Sequence, residues 1–218
     1  TSADPQALQR ARPARTEFGT QDFLPLNPFT TASNTTLTVS FFNSGLQVND
    51  QVRFSDVKFP VGGVSIAALQ LQTTLSAAVT TTDTTISLTS TTNFPTAGFI
   101  MIESVNTDST STSYGSFQNE VIEYTGISGS DLTGCTRATS VPYRGRTLTK
   151  TTAYAHPSGS KVFGSFKVAS LIQTSYVNDA NTTVYEYNSF TITLPSAATG
   201  SETGGGFNCF VGPLNERP

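Results

Sequence analysis

Apolar side chains alternate with Thr, Ser and other polar side chains in short runs along most of the chain. The segment "TTLTVSFF" (residues 35–42) shows the alternation most clearly, and related runs occur at 51–54, 99–103, 120–125 and 161–163. Because successive side chains of a strand point to opposite faces of a sheet, a period of two predicts half-buried β-strands. Turn residues such as Gly, Asn and Asp separate the runs at intervals of about 8–12 residues, which is typical of sandwiches and small barrels.

Two further strand-like segments lie in the last third of the chain. They are "SFKVASLIQTSYV" and "TTVYEYNSFTITL", joined by "NDAN", a turn by residue type. Tyr185 and Tyr187 share one face of the second segment, either as an exposed pair or as the edge of a core. The apolar stretch at 64–71 fits a strand or a short helical turn. Since no long amphipathic helix is evident, the pattern predicts an all-β protein.

The composition argues against several classes of function but does not identify a particular one. Charged residues make up 12% of the 218 positions, and the net charge is −3, which argues against a nucleic-acid-binding surface rich in Lys and Arg. Thr and Ser supply roughly 60 positions, far above average usage. No apolar run approaches the ~18–20 residues needed to span a bilayer, and no charged-then-apolar leader opens the chain. We therefore expect neither a nucleic-acid partner nor a membrane partner.

The inventory of metal ligands and nucleophiles is small. The chain has one His and two Cys, and no loop offers the clustered oxygen ligands that calcium needs. Cys135 and Cys209 lie in separate Gly-containing stretches and are predicted to be free thiols. His156 lies in the turn "YAHPSGS", and "GISGS" only loosely resembles a nucleophile elbow, so a turn histidine is favoured over a catalytic one. No metal and no cofactor is predicted.

Acidic residues of the predicted strands could in principle form a catalytic pair. Glu120 and Glu123 are three residues apart, which places them on opposite faces of one strand. Glu103 and Glu123 could face each other across a hairpin, but solvated edge carboxylates explain them equally well. No catalytic residue is therefore assigned, and the chain is interpreted as a non-enzymatic protein.

Candidate contact residues lie in three places. The first 20 residues are polar and rich in Ala, Arg and Pro, and they fit either a flexible terminus or an arm that orders against a neighbouring subunit. "DFLPLNPFTT" has two prolines three apart among apolar residues, which suits an extended edge segment. The stretch around Tyr143 could form a binding patch or interface salt bridges. The candidate inter-subunit contacts are Arg10, Arg12, Arg15, Phe23, Pro25, Phe29, Arg144 and Arg146.

Two successions of short motifs resemble β-modules of tailed-phage virion proteins. "PLNPFTT…TLTVSFFNSGLQVNDQVRFSDV…VGGVSIAAL" is similar to the first half of one module, and "SYVNDANTTVYEYNSFTITLPSAATGSETGGG" to its second half. Between them, "TTLSAAVTTTDTTISLTSTTNFPTAGFIMIE…EVIEYTGISGSDLTGCTRA…AYAHPSGSKV" resembles a second, repeat-like module of phage tail proteins. The chain departs from these patterns at Asn43, Ser44 and Asn49, in a longer loop at 104–119, and in the expansion "VPYRGRTLTK".

The resemblance implies two small β-sandwich or barrel modules, one inserted into the other and flanked by extended arms. The expected boundaries are an N-terminal arm at 1–21, an outer module at 22–72 and 164–203, an inserted module at 73–163, and a C-terminal tail at 204–218. No catalytic residues are carried over with the resemblance.

What the resemblance implies for function is a structural component of a bacteriophage virion, assembled in the host cytoplasm. Its partners would be copies of itself and other virion proteins, most often in the tail as an adaptor, nozzle, hub-proximal or fibre-attachment protein. The alternatives are a decoration or cement protein of the head, a receptor- or glycan-binding module of the tail tip, and a hydrolase of host polysaccharide.

Overall fold

The computed structural model describes residues 21–147 and 152–214, and within these ranges the protein is almost entirely β-structure, which confirms the predicted all-β class. One short helix, α1 (Ile66–Gln70), is present in them. The described strands, in chain order, are β1 (Asp22–Phe23), β2 (Phe29–Thr31), β3 (Thr36–Ser40), β4 (Gln51–Ser55), β5 (Gln72–Thr74), β6 (Ile86–Ser87), β7 (Gly98–Glu103), β8 (Glu120–Tyr124), β9 (Gly126–Ser128), β10 (Asp131–Thr133), β11 (Pro142–Tyr143), β12 (Arg146–Thr147), β13 (Lys161–Gly164), β14 (Phe166–Val177), β15 (Thr183–Thr193), β16 (Thr203–Gly204) and β17 (Phe210–Gly212).

The first and last parts of the chain together form one open eight-stranded sheet. Its strand order is β1-β17-β4-β14-β15-β3-β2-β16, and every neighbouring pair is antiparallel. The intervening part of the chain forms a four-stranded sheet (β5-β13-β7-β8), a three-stranded sheet (β6-β10-β9) and the two-stranded pair β11-β12. The large sheet is thus completed only after the chain has built the smaller sheets.

The C-terminal stretch departs from the tail expected at 204–218. Thr203–Gly204 pairs with β2, and Phe210–Gly212 lies between β1 and β4 in the large sheet. The reason is the apolar run that follows the glycines: Cys209, Val211 and Leu214 are fully buried, and an interior strand is the way to bury them without leaving backbone polar groups unpaired.

Four phenylalanine rings form the centre of the large sheet's core. The Phe54 ring lies 5.0 Å from Phe29, 5.8 Å from Phe166 and 6.4 Å from Phe190. All four side chains are fully buried. The prediction of Phe29 as an inter-subunit contact is therefore wrong. The Pro-flanked apolar segment that suggested an exposed edge instead supplies an inward-facing ring to the core.

The chain enters and leaves the smaller sheets at one place, which we call the neck. β5 and β13 carry the chain into and out of the smaller sheets, and they pair directly with each other, with Gln72 opposite Phe163. Gly164 ends β13, and a Cβ at this position would lie 2.8 Å from the Phe94 ring and 3.0 Å from the Leu71 Cβ. A larger residue therefore does not fit the neck without displacing core side chains.

β14 and β15 form a hairpin that extends beyond the large sheet. At its base β14 pairs with β4 at Phe166 and Lys167, and β15 pairs with β3 from Ser189 onwards. The outer part, residues 171–187, is a two-stranded ribbon in which every side chain is exposed or half-buried. Since isolated two-stranded hairpins are only marginally stable in water, the ribbon depends on its anchored base.

Replacing Phe54 by Ala tests the assignment of the core. The substitution removes a ring that contacts three others, and we expect it to lower the free energy of unfolding by about 3–5 kcal/mol. Urea denaturation followed by far-UV circular dichroism measures the change. Phe207→Ala is the matched control, because Phe207 is exposed and its loss should cost no more than about 0.5 kcal/mol. Equal effects of the two substitutions would contradict the assignment.

Candidate functional site

The most highly organised polar cluster of the described chain surrounds the carboxylate of Glu120 on β8. Arg137 donates to both carboxylate oxygens, from Nε to Oε1 and from Nη2 to Oε2, each at 2.7 Å. The backbone N–H of Ala138 donates to Oε1 at 3.0 Å, and that of Tyr154 to Oε2 at 2.9 Å. His156 adds a contact from Nε2 to Oε2 at 3.0 Å. Glu120 and His156 have no exposed side-chain surface.

The cluster joins irregular segments to the four-stranded sheet. Glu120 is fixed on β8 opposite Ile102 of β7, whereas Arg137 and His156 lie on irregular segments. The Arg137 guanidinium also donates to the carbonyl oxygens of Thr80 and Tyr154. His156 forms a backbone bridge with Val79, so the same residue binds through its backbone and its ring.

The His156 ring continues the network to Ser104, the residue after β7. The Nδ1 of His156 lies 2.8 Å from the Ser104 Oγ, and the Ser104 Oγ lies 3.3 Å from the Gln118 carbonyl oxygen. An ionised carboxylate can only accept hydrogen bonds, so Nε2 carries the proton that faces Glu120. With the ring proton on Nε2, Nδ1 is an acceptor, and the single proton of the Ser104 hydroxyl is shared between Nδ1 at 2.8 Å and the Gln118 carbonyl oxygen at 3.3 Å. The prediction of a turn histidine is wrong: the ring is a buried link between a carboxylate and a hydroxyl.

The electrostatics of the cluster favour an ionised Glu120. Burial by itself raises the pKa of this carboxyl, but the hydrogen bonds from His156, Arg137 and the Tyr154 N–H outweigh burial and lower the pKa from 4.5 to about 2. Because the charge is balanced by a bidentate guanidinium and fully hydrogen-bonded, its burial is stable, whereas removal of one partner would leave a buried charge uncompensated.

Ser104, His156 and Glu120 have the composition of a catalytic triad but not its arrangement. In the hydrolytic triad, Nε2 faces the serine and Nδ1 faces the acid, whereas here the two nitrogens have exchanged partners. The acid is also bound bidentately by Arg137, and Ser104 is buried. This geometry links the three segments that carry Ser104, His156 and Glu120.

The acidic pair considered across the β7–β8 hairpin does not form. Glu123 lies opposite Phe99, and Glu103 lies opposite Lys161 of β13. The hairpin register therefore separates Glu103 from Glu123 by four residue positions along the strands. Glu120, one of the two acids placed on opposite faces of β8, is the buried one, while Glu123 is half-buried.

The predicted contact residues occupy different environments. Arg10, Arg12 and Arg15 lie outside the described residues. Phe23 and Pro25 are exposed at the β1 edge of the large sheet, and Arg146 is exposed on β12.

Arg144 is tied to its own chain. It forms an ion pair with Asp22, and its backbone N–H donates to the Asp50 carboxylate at 2.6 Å. A role of Arg144 in binding another subunit therefore competes with an intramolecular role.

Other candidate chemistry is limited in the described residues. Cys135 and Cys209 are free, as predicted, and both are buried. Burial raises the pKa of the Cys135 thiol to about 11, so it is protonated at neutral pH. A pocket between α1 and residues 194–197 is lined by apolar, hydroxyl and amide side chains without an ionisable group. Between residues 21 and 147 and between 152 and 214, no group of three or more His, Cys, Asp or Glu could hold a metal ion. No helix in those ranges is long and apolar enough to cross a bilayer.

Comparison of the chain with models of protein families, with curated proteins and with solved structures finds no match.

Glu120→Gln tests the buried network. At neutral pH we expect this substitution to lower the free energy of unfolding by about 3–5 kcal/mol, because Arg137 is left with no carboxylate partner. A lowered pKa in the folded state means that the stabilisation is present above pH 4.5 and is lost as the pH falls through about 2. For the native chain this loss is on the order of 3 kcal/mol.

Urea titrations from pH 7 to pH 2 measure both effects. The difference between the native chain and Glu120→Gln should shrink with falling pH. Glu123→Gln, the same change on the same strand at a half-buried position, is the control and should leave the pH dependence unchanged. A pH-independent difference between Glu120→Gln and the native chain would show that the carboxylate charge is not what stabilises the cluster.

The inaccessibility of Ser104 has its own test. We expect a fluorophosphonate probe, which labels activated serines, to leave the folded protein unmodified, because Ser104 is buried and its histidine is also bound to Glu120. Intact-mass spectrometry detects the adduct. Labelling that disappears in Ser104→Ala would support the hydrolase alternative instead.

Proposed function

We propose that the protein is a non-enzymatic structural component of a tailed-bacteriophage virion that acts by binding neighbouring subunits in a symmetric assembly. The favoured position is the tail, as an adaptor, nozzle, hub-proximal or fibre-attachment protein. The proposal rests on the succession of phage-type motifs in the sequence, and the observation that carries the binding role is the ribbon at residues 171–187.

The ribbon supports subunit binding because it extends beyond the rest of the sheet. The Asn43 N–H donates to the Tyr187 carbonyl oxygen at 3.0 Å. Beyond Tyr187, both faces and both outer strand edges of the hairpin lack a neighbouring strand among the described residues. Unpaired strand edges are sites for strand addition by another chain, and Lys residues or prolines, which commonly discourage such pairing, are absent from 171–187.

The positions of the chain ends support the same role. β1 runs in the same direction as β4, so the chain enters β1 at the end of the large sheet from which the ribbon projects. β17 runs in the opposite direction, and the chain leaves it at that same end. An N-terminal arm that enters there and the ribbon would reach the same neighbour, and their combined contacts would strengthen binding through effective concentration.

A second candidate function is binding of a glycan at the tail tip. Tyr185 and Tyr187 are an exposed pair on one face of the ribbon, an arrangement that can stack on sugar rings. Micromolar binding of the isolated protein to a defined glycan on an array, lost in the double variant Tyr185→Ser/Tyr187→Ser, would favour this function. A head decoration protein would use the same surfaces as the tail component.

Particle imaging tests the proposed position. Gold-labelled antibody against the chain should mark the tail in virions of the phage that encodes it. Label over the whole head surface would favour the decoration protein, and particles without label would contradict a virion role.

Deleting the residues before Thr20 tests the arm. We expect a folded protein whose melting temperature matches that of the full chain, since the described sheet begins at Asp22. The truncated chain should fail to enter particles, because the arm would no longer reach a neighbour. Quantitative mass spectrometry of purified particles, with the full-length chain as control, measures incorporation. Incorporation at the full-length level would refute the arm.

A further inference from the structure

The large sheet exposes a second apolar surface at the end opposite the ribbon. We call it the corner and define it by Phe23, Leu26, Phe59 and Phe207, all more than half exposed. Backbone hydrogen bonds hold its three segments together: the Asn27 N–H donates to the Gly206 carbonyl oxygen at 2.8 Å, and the Phe59 N–H donates to that of Gly205 at 3.3 Å.

The size of the corner is that of an interface rather than of scattered exposure. Large apolar side chains each have about 150–250 Å² to bury, so four that are more than half exposed offer on the order of 400 Å². A standard interface buries about 800 Å² on each partner, and its centre is apolar with a polar rim. The corner therefore supplies the apolar centre of one side of such an interface.

The ribbon supplies a matching surface. Cross-strand pairing places Tyr185 opposite Ser175 and Thr183 opposite Val177, so Val177, Tyr185 and Tyr187 share one face. All three side chains are exposed. Exposed aromatic residues beside hydroxyl side chains are typical of binding surfaces.

The two surfaces lie too far apart to meet within one chain. The ribbon continues β14 beyond the Gln51 end of β4, while the corner lies beyond the Ser55 end of β4, where Phe210 pairs with Ser55 and Phe23 with Phe210. The whole length of the sheet separates them, so any contact between them is a contact between copies.

Charge also favours a contact between a corner and a ribbon over a contact between two ribbons. Residues 171–187 contain two acids, Asp179 and Glu186, and no Lys or Arg. Glu186 lies opposite Thr174, on the other face from Tyr185, where it accepts from the Tyr176 hydroxyl. The exposed Asp179 lies in the turn at the tip, so two ribbons in contact would bring acidic tips together. The corner carries Lys58 next to Phe59, and the Lys58 ammonium lies 3.5 Å from the Asp56 carboxylate. Both of these side chains are exposed, and an exposed pair of this kind is easily exchanged for another acidic partner.

We infer that the corner of one copy binds the ribbon of a second copy in a heterologous contact. Such a contact uses different surfaces on its two sides, so it closes into a ring if the rotation between copies permits and otherwise continues as a filament. The inference rests on the subunit-binding part of the proposed function, and it identifies which surfaces bind and the partner as this chain itself.

A mixing experiment with the full-length chain tests the inference. Tyr185→Asp disables the ribbon and Phe59→Asp disables the corner, and both positions are exposed, so each variant should keep the native melting temperature. In sedimentation velocity we expect the native chain to form oligomers larger than dimers as concentration rises. Each variant alone should be monomeric, and an equimolar mixture should form heterodimers and nothing larger, since one functional corner and one functional ribbon remain.

Tyr114→Asp is the matched control, because Tyr114 is 63% exposed, against 64% for Tyr185, and lies in the loop at 104–119. It should assemble like the native chain. A native chain that stays monomeric, a mixture that stays monomeric, or a single variant that assembles like the native chain would each overturn the inference. If the mixture fails while antibody still marks virions, the proposed function stands without this contact. If the mixture forms heterodimers and no virion carries label, the virion role fails instead.

Discussion

The buried carboxylate of Glu120 is the constraint on which the arrangement of the smaller sheets depends. A carboxylate without exposed surface is stable only where its lone pairs are occupied, and five donors occupy them here. Those donors come from 137–138 and from 154–156, segments outside regular strands. A shift of either segment would leave charge unpaired in the interior. The network therefore specifies one path for these segments, which strand pairing alone would leave open.

The smaller sheets are attached to the large sheet at two separate places. At the neck, β5 and β13 pair with each other, so the chain leaves and rejoins the large sheet at nearly the same point. At the turn between β11 and β12, Arg144 reaches Asp22, and its backbone N–H reaches Asp50 next to β4. A single neck would permit rotation of one part against the other. The second attachment opposes that rotation, because it joins the smaller sheets to the β1 edge of the large one.

Local alternation predicted the strands well, because the period of two depends only on neighbouring residues. The strands β7 and β8 lie within one residue of the bounds predicted for them, 99–103 and 120–125. The Glu120 network could not be predicted in this way, since its partners are 17 to 36 residues apart and a single acid in a strand resembles a solvated one. The burial of Phe29 and of β17 was missed for a related reason. Pro and Gly indicate the local backbone conformation, whereas burial of a segment depends on which distant strand packs beside it.

The structure divides its few charges and its many aromatic rings between two tasks. Arg137, Glu120, Arg144 and Asp22 are used inside the chain, where they hold irregular segments in place. The core around Phe54 contains the rings of Phe29, Phe166 and Phe190 and none of the rings of the corner or the ribbon. Because those exposed rings lie outside the core around Phe54, the proposed contacts could change with little effect on the core. In the proposed contact, a surface of rings and hydroxyls would bind through apolar burial, which salt screens far less than it screens exposed ion pairs. Charge would then decide the choice of partner more than the strength of binding.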